Sequence, residues 1–366
     1  MLGKSFKKII HSINWRIFGP AFLLSCFGLL SIFSSSISRG DFLNFEKQLV
    51  AVFISSCVAI FIASMDLRFL KANSYFIFSF YVLSLFSLAG LLIVAGQTRG
   101  IQGWYRLGPI SIDPEPFVAI VLIIVLSKYF SSRHVEIHML RSLFFSGMYA
   151  ILPVGLVLMQ PDLGSSLSLM VIWLGMVLFS GIKTKHLVAL FVLLGIVFVC
   201  SWNFYLKDYQ KQRIMSFLNP NIDSKGVAWS ANQSKIAIGN GGLLGQGIGK
   251  GSQTQYGFLS EPKTDFIFSS IGEEFGLLGI FVLFILFLAL FWQIVSVVFQ
   301  AQSNFAALFA FGFAFLILAQ ICINVGMCLG LFPVVGIPLP FVSYSGSFTL
   351  AFYVGLGILM SLEKRG

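Results

Sequence analysis

The sequence predicts an all-α polytopic membrane protein of about ten transmembrane helices with one large loop on a single side. Three observations predict it. Hydrophobic residues make up 57% of the 366 and charged residues only 10%, with a mean hydropathy of +0.91. A soluble domain cannot hide that much apolar surface. Apolar runs long enough to cross a bilayer recur along the whole chain, and Lys and Arg gather on one of the two sides those runs define.

The runs fall near 17–37, 49–65, 74–95, 115–130, 143–160, 165–181, 187–205, 275–299, 305–330 and 341–362. The first ends in Ser, Arg, Gly and Asp without a small-x-small cleavage site, so it reads as a span and not a cleaved leader. An even number of spans puts both ends on one side, and Lys4, Lys7, Lys8 and Arg16 mark that side as cytoplasmic. With Arg68, Lys71, Lys128, Arg133, Arg141, Lys183, Lys185, Lys364 and Arg365 it holds 13 basic residues, against Asp66, Glu136 and Glu363. The difference equals the whole formal charge of +10, so the outer side is balanced. The basic excess is the positive-inside pattern, and nucleic-acid binding is not needed to explain it. Of the five cysteines, Cys26, Cys57, Cys200, Cys322 and Cys328, none forms a CxxC pair, and they read as core or lipid-facing thiols. His11, His134, His138 and His186 lack metal-ligand spacing, so no zinc site is expected.

Residues 206–265 form a 60-residue loop between the seventh and eighth runs. It carries Lys207, Lys211, Arg213, Lys225, Lys235, Lys250 and Lys263 against four acidic residues. Long loops of this kind are functional or disordered. Within it, 231–249 has a short helix pattern followed by a glycine-dense turn, which predicts order. GNGGLLGQGIG (239–249) lacks the GK[ST] ending and follows no strand, so it is not a nucleotide loop. Its glycines let backbone amides approach an anionic group, or simply make tight turns. YQKQR (209–213) sets Lys211 and Arg213 at the outer face, where they suit a lipid phosphate or pyrophosphate, or else form a solvated interfacial helix.

QPDLG (160–164) places Asp162 in a Pro/Gly break, either as a helix cap or lining a cavity. LSEPKTDFIFSSIGEEFG (259–276) holds Asp265, Glu273 and Glu274 at the mouth of 25 uncharged residues, 275–299. Acidic groups there are expensive and so functional by default, and Asp265 is the candidate catalytic base. On a helix begun early enough, Glu273 lies about 80° from Asp265 and could share its cavity, whereas Glu274 lies about 180° away and would pair with a neighbouring helix. VVGIPLPFVSYSGS (334–347) breaks the apolar pattern with prolines, and irregular backbone at membrane depth survives only when buried or lining a wet cavity.

In this order, QPDLGSS, YQKQR, QSKIAIGNGGLLGQGIGKG, FLSEPKTDFIF with GEEFG, and VVGIPLPFVSYSGS resemble the SEDS family of cell-wall polymerases, the group of RodA and FtsW, with the RodA branch nearer. The resemblance spans nearly the whole chain. It implies one membrane domain of the SEDS fold over 1–366, with 206–265 as an extracytoplasmic loop carrying the catalytic region. It implies a peptidoglycan glycosyltransferase that polymerises lipid II on the outer face of the bacterial cytoplasmic membrane, for elongation and shape. A class B penicillin-binding transpeptidase and membrane proteins of the elongation complex would be its partners.

By resemblance Asp265 deprotonates the acceptor hydroxyl, which attacks the donor's anomeric carbon. The polyprenyl pyrophosphate then leaves, helped by basic loop residues or a divalent cation (Mg or Mn), with no organic cofactor. The implied substrate-binding residues are Lys211, Arg213, Gln233, Lys235 and Lys263, with Trp104, Arg106 and the glycines Gly239, Gly241 and Gly242. Asp162, Glu115, Glu273, Glu274 and Ser343 would support them. The chain departs from the family at Gly103-Trp104, where most members read RW, with Arg106 shifted along. It also reads Pro114-Glu115-Pro116 and Ala119 where they read PSE and then Lys, and Ser343-Tyr344-Ser345-Gly346-Ser347 for SYGGS. Two other classes remain on the sequence. One is a lipid II flippase, which predicts inverted repeats and a midplane ion site that the chain does not display. The other is a weakened scaffold for a transpeptidase, which the lost Lys keeps open.

Overall fold

The computed structural model describes residues 13–37, 40–67, 72–96, 101–108, 110–132, 140–204, 206–219 and 227–365. Lys4, Lys7, Lys8, His11, Arg68, Lys71, Arg133, His134, Glu136, His138 and Lys225 lie outside them. Ten long helices match the ten predicted runs: α1 Trp15–Ser34, α2 Leu43–Ser64, α3 Ser74–Val94, α4 Glu115–Ser131, α5 Leu140–Met159, α6 Leu163–Phe179, α7 Thr184–Phe204, α11 Ile267–Gln300, α12 Asn304–Leu329 and α13 Gly346–Arg365. Eight of these are long and apolar enough to cross a membrane. The other two, α4 and α6, have 17 residues each.

Both short helices sit inside the bundle. α4 packs against α3, α5, α6, α12 and α13. Its Val118, Ala119, Leu122, Ile123 and Leu126 are all buried, so protein and not lipid surrounds it. α7 is the opposite case. It is apolar all round and only Leu190 is buried, so its Phe191, Ile196 and Phe198 face outward as a lipid-facing helix should.

Two boundaries differ from the sequence expectation. α11 begins at Ile267 and not near 275, because Ile267, Phe268 and Ile271 are already core residues and Glu273 and Glu274 lie inside the helix. α13 begins at Gly346 and not 341, because the proline-bearing stretch before it has irregular backbone. One small sheet was also unforeseen: β1 Tyr105–Leu107 pairs antiparallel with β2 Ile110–Ile112, turning at Gly108. The described residues of the long loop hold three helices: α8 Asp208–Leu218, α9 Val227–Gly241 and α10 Ser252–Gln255.

α11 is broken at Gly276, whose φ of 68° and ψ of −163° no helix accommodates. A break at membrane depth exposes backbone groups that lipid cannot satisfy. The glycine-rich turn after α9 satisfies them. Gln246 N and Gly247 N donate to the carbonyls of Glu273 and Glu274, both at 3.0 Å, while Leu277 N and Leu278 N donate to Gly242 O and Leu243 O at 2.9 and 3.1 Å. The break and the turn are therefore one unit.

The sidedness read from charge makes a direct forecast. A single cysteine at Lys250, which is exposed, placed in a background without the native cysteines, should react with an impermeant thiol reagent in intact cells. Reaction only after lysis would invert the topology.

Candidate functional site

The loops that join odd to even spans meet at one end of the bundle, and long-range hydrogen bonds tie them together. Gln102 N donates to Gln160 O at 3.2 Å, and Asp113 N donates to Ser347 Oγ at 2.9 Å. Gln210 of α8 donates to Pro161 O at 3.3 Å, and Lys263 Nζ donates to Ser36 Oγ at 2.9 Å. Trp104, Arg106, Asp162, Lys211, Arg213 and Lys263 thus share one end although sequence separates them widely. At the opposite end Asn14 Nδ2 donates to the Glu363 carboxylate at 2.8 and 2.9 Å.

Asp265 lies just before α11, on a segment whose backbone is held residue by residue. Tyr344 N donates to Lys263 O at 2.8 Å, Ser343 Oγ to Thr264 O at 2.7 Å, and Asn324 Nδ2 to Asp265 O at 2.9 Å. Ser343 Oγ also accepts from Leu339 N at 2.8 Å. Three consecutive carbonyls are therefore taken by α12 and the stretch between α12 and α13. Gly336, in that stretch, faces the carboxylate: a methyl there would stand 3.4 Å from Asp265 Oδ2. The Ser343 hydroxyl couples the Asp265 segment to the proline-bearing one.

Glu273 does not share a cavity with Asp265. The helix starts after Asp265, and Glu273 is fully buried with its oxygens already engaged. Oε1 accepts from Gln253 N at 2.7 Å and Ser252 Oγ at 3.3 Å. Oε2 accepts from Thr254 N at 2.9 Å and Thr254 Oγ1 at 2.7 Å. It caps α10, accepting from free amides at that helix start. Glu274 accepts from Gln255 Nε2 at 2.8 Å, and that amide also donates to Ser34 O of α1 at 2.9 Å, so Glu274 does reach a neighbouring helix through a bridge.

Two of the glycines take part in a join with the protein's own backbone. A side chain at Gly241 would overlap Gly272 O, and Gly242 supplies the carbonyl for Leu277 N, so both glycines serve the join with broken α11. Gln233, also on α9, is buried.

The cations gather elsewhere. A small pocket of about 40 Å³ is lined by Arg213 and Ser216 of α8, Asn232 and Lys235 of α9, and Gly330, Pro333 and Val334. Pro333 and Val334 lie two to three residues before Gly336, so this basic pocket and the Asp265 carboxylate flank one short segment. A larger cavity of about 350 Å³ between α1 and α11 is lined by Phe27, Leu244, Ile248, Phe275, Leu278 and Val282, and Glu274 is its sole charged lining residue. Its apolar wall offers no cation to hold a phosphate, whereas the smaller pocket carries two.

A group of carboxylates completes the end. Asp162 caps α6, accepting from Ser165 N at 3.1 Å and Ser165 Oγ at 2.8 Å. Gly164, beside it, packs against Val335 O, which brings this cap to the Asp265 side. Asp113 accepts from Glu115 N at 3.0 Å. Burial pushes the Asp113 carboxyl up to about 7, opposed by that hydrogen bond and reinforced by the Asp162 charge. Glu115 opens α4, is 4% exposed, and has neither oxygen hydrogen-bonded. Among the described residues no three His, Cys, Asp or Glu converge as a ready-made metal site. Sequence reasoning missed Asn324, whose only signal was a polar residue inside an apolar span.

The whole chain can be matched to known proteins. A family model for FtsW, RodA and SpoVE, described as cell cycle protein, matches residues 14–366. Peptidoglycan glycosyltransferase MrdB of Escherichia coli K12 is 31% identical over 350 residues, covering 94% of this chain and 93% of the relative. Stage V sporulation protein E of Bacillus subtilis is 30% identical over 353 residues, covering 93% and 94%. Among solved structures, a chain described under structural coordination of polymerization and crosslinking by a peptidoglycan synthase complex superposes with a TM-score of 0.80 at 27% identity, covering 95% of this chain and 97% of that one. The rod shape determining protein RodA of Thermus thermophilus gives 0.68 at 25% identity, covering 96% of each.

The capping geometry predicts a stability effect. Glu273→Gln replaces one of two accepting oxygens by a donor and leaves buried donors of α10 unpaired, so it should destabilise the protein by about 1–3 kcal/mol. Thermal unfolding in detergent measures this. An unchanged melting temperature would show that Glu273 does not hold α10.

Proposed function

The chain belongs to the FtsW/RodA/SpoVE family, and we propose that it is a peptidoglycan glycosyltransferase polymerising lipid II into glycan strands at the end of the bundle where Asp265 lies. The observation that carries this reading is the Asp265 carboxylate, held rigidly by its backbone at the mouth of a span beside a basic pocket. A base and a cationic site a few residues apart suit a displacement in which a hydroxyl loses a proton and a diphosphate departs.

In this mechanism Asp265 takes the proton from the acceptor sugar hydroxyl. The oxygen attacks the donor's anomeric carbon as the bond to the polyprenyl pyrophosphate breaks, with inversion. Arg213 and Lys235 of the basic pocket bind the diphosphate, and the Arg213 guanidinium can hold two of its oxygens at once. Lys211, Lys263, Trp104 and Arg106, at the same end of the bundle, orient the two substrates.

A divalent cation fits the carboxylates near β2. Both Glu115 oxygens are buried without a partner, beside Asp113 and Asp162. Mg or Mn takes one or two carboxylates and keeps water and substrate phosphate for its other positions. Glu115 and Asp113 would hold it, and when bound it supplies positive charge to the diphosphate.

The reading places the protein in the bacterial cytoplasmic membrane, with both termini cytoplasmic and 206–265 outside, as one membrane domain whose large loop carries the catalytic region. A class B penicillin-binding transpeptidase and membrane proteins of the elongation complex are its partners, and cell elongation is its setting. The solved synthase complex on which this chain superposes supports joint polymerisation and crosslinking.

Asp265→Asn keeps the shape of the side chain and removes its basicity. Polymer formation from lipid II by the purified variant should fall by about 10²–10⁴-fold, the usual cost of losing a general base. Yield within twofold of wild type would exclude Asp265 as the base.

A further inference from the structure

We propose that Asn324 is a positioning residue for polymerisation, whose single amide group sets the distance between Asp265 and the proline-bearing segment. The inference rests on Asp265 being the base. Asn324 lies in α12 and is fully buried. Its Nδ2 stands 2.9 Å from Asp265 O and 2.8 Å from Ile337 O. An amide NH₂ has two protons, and here each has one carbonyl. The two carbonyls belong to segments remote in sequence. One carries the base, and the other follows Gly336, the residue that faces Asp265 Oδ2. Asn324 therefore fixes both walls of the space in which an acceptor hydroxyl must sit.

Three features make this side chain hard to replace. Asn324 Oδ1 is buried and accepts no hydrogen bond, a cost that the fold carries only because the other end of the amide is needed. The orientation of the amide is settled by its neighbours, since a flipped group would set an oxygen against two carbonyl oxygens. One turn further along α12, Cys328 Sγ lies 3.7 Å from the same Asp265 carbonyl. The Cys328 carbonyl accepts from Ser234 Oγ of α9 at 2.7 Å. The face of α12 bearing Asn324 and Cys328 thus links the base segment to the helix that supplies Lys235 to the basic pocket.

Substitutions separate the possibilities. Asn324→Leu removes both donors while keeping the branched heavy-atom skeleton. Asn324→Asp sets a carboxylate against two carbonyls. Asn324→Gln keeps the donor but moves it by one methylene, and it preserves a folded protein if the other two do not. Misplacing a catalytic group by about 1 Å costs up to 10²-fold. Each variant that purifies with a wild-type melting temperature should show kcat for lipid II polymerisation reduced by about tenfold or more, with KM within about threefold of wild type. A residue that only stabilises the fold would lower the melting temperature and the yield of folded protein but leave kcat per folded molecule intact. Full kcat in the Gln variant, or a change confined to KM, overturns the proposal. Asp265→Asn in the same assay separates the two claims. If it stays active, the base assignment has failed. If it is inactive while the Asn324 variants keep full kcat, only the positioning role has failed.

Discussion

Everything at the Asp265 end depends on one constraint: backbone that is not helical, at the edge of a membrane, must find every hydrogen bond within the protein. The Lys263–Asp265 segment obeys it through three donors taken in order, Tyr344 N, Ser343 Oγ and Asn324 Nδ2. None of them comes from its own helix. The position of the Asp265 segment is consequently a property of α12 and the stretch between α12 and α13. The proline-bearing segment is irregular for the same reason. It is the surface that receives the Asp265 segment on one side and the basic pocket on the other.

The same constraint explains the glycine-dense turn and the break in α11. Gly276 interrupts the helix, and residues 242–247 take up the four backbone groups around it. Glu273 and Glu274, just before the break, anchor α10 and, through Gln255, α1. Two carboxylates at a span mouth are thus committed to structure. Arg213 and Lys235 meet because α8 and α9 pack on each other and on the end of α12.

The ten spans were legible because an apolar run of bilayer length has few other uses, and the charge bias follows from the same runs. Asp265 stood out because carboxylates beside a long uncharged run, 275–299, are conspicuous. The glycines were seen, but the sequence shows only that something approaches closely, and not that at Gly241 it is the carbonyl of Gly272. Glu273 was placed by helical angle from Asp265, and that argument failed because the helix begins only at Ile267. The β1–β2 hairpin and Asn324 were invisible, since a three-residue strand has no periodicity and the partners of Asn324 lie 13 and 59 residues away.

The central claim is that this fold polymerises. Its most direct test is to supply purified wild-type protein in liposomes with lipid II and divalent cation, alone and with its transpeptidase partner, and to resolve the products by length. The account predicts glycan strands of many disaccharides together with released polyprenyl pyrophosphate. Lipid II that crosses the bilayer unchanged, with no strand and no diphosphate product under either condition, would contradict it.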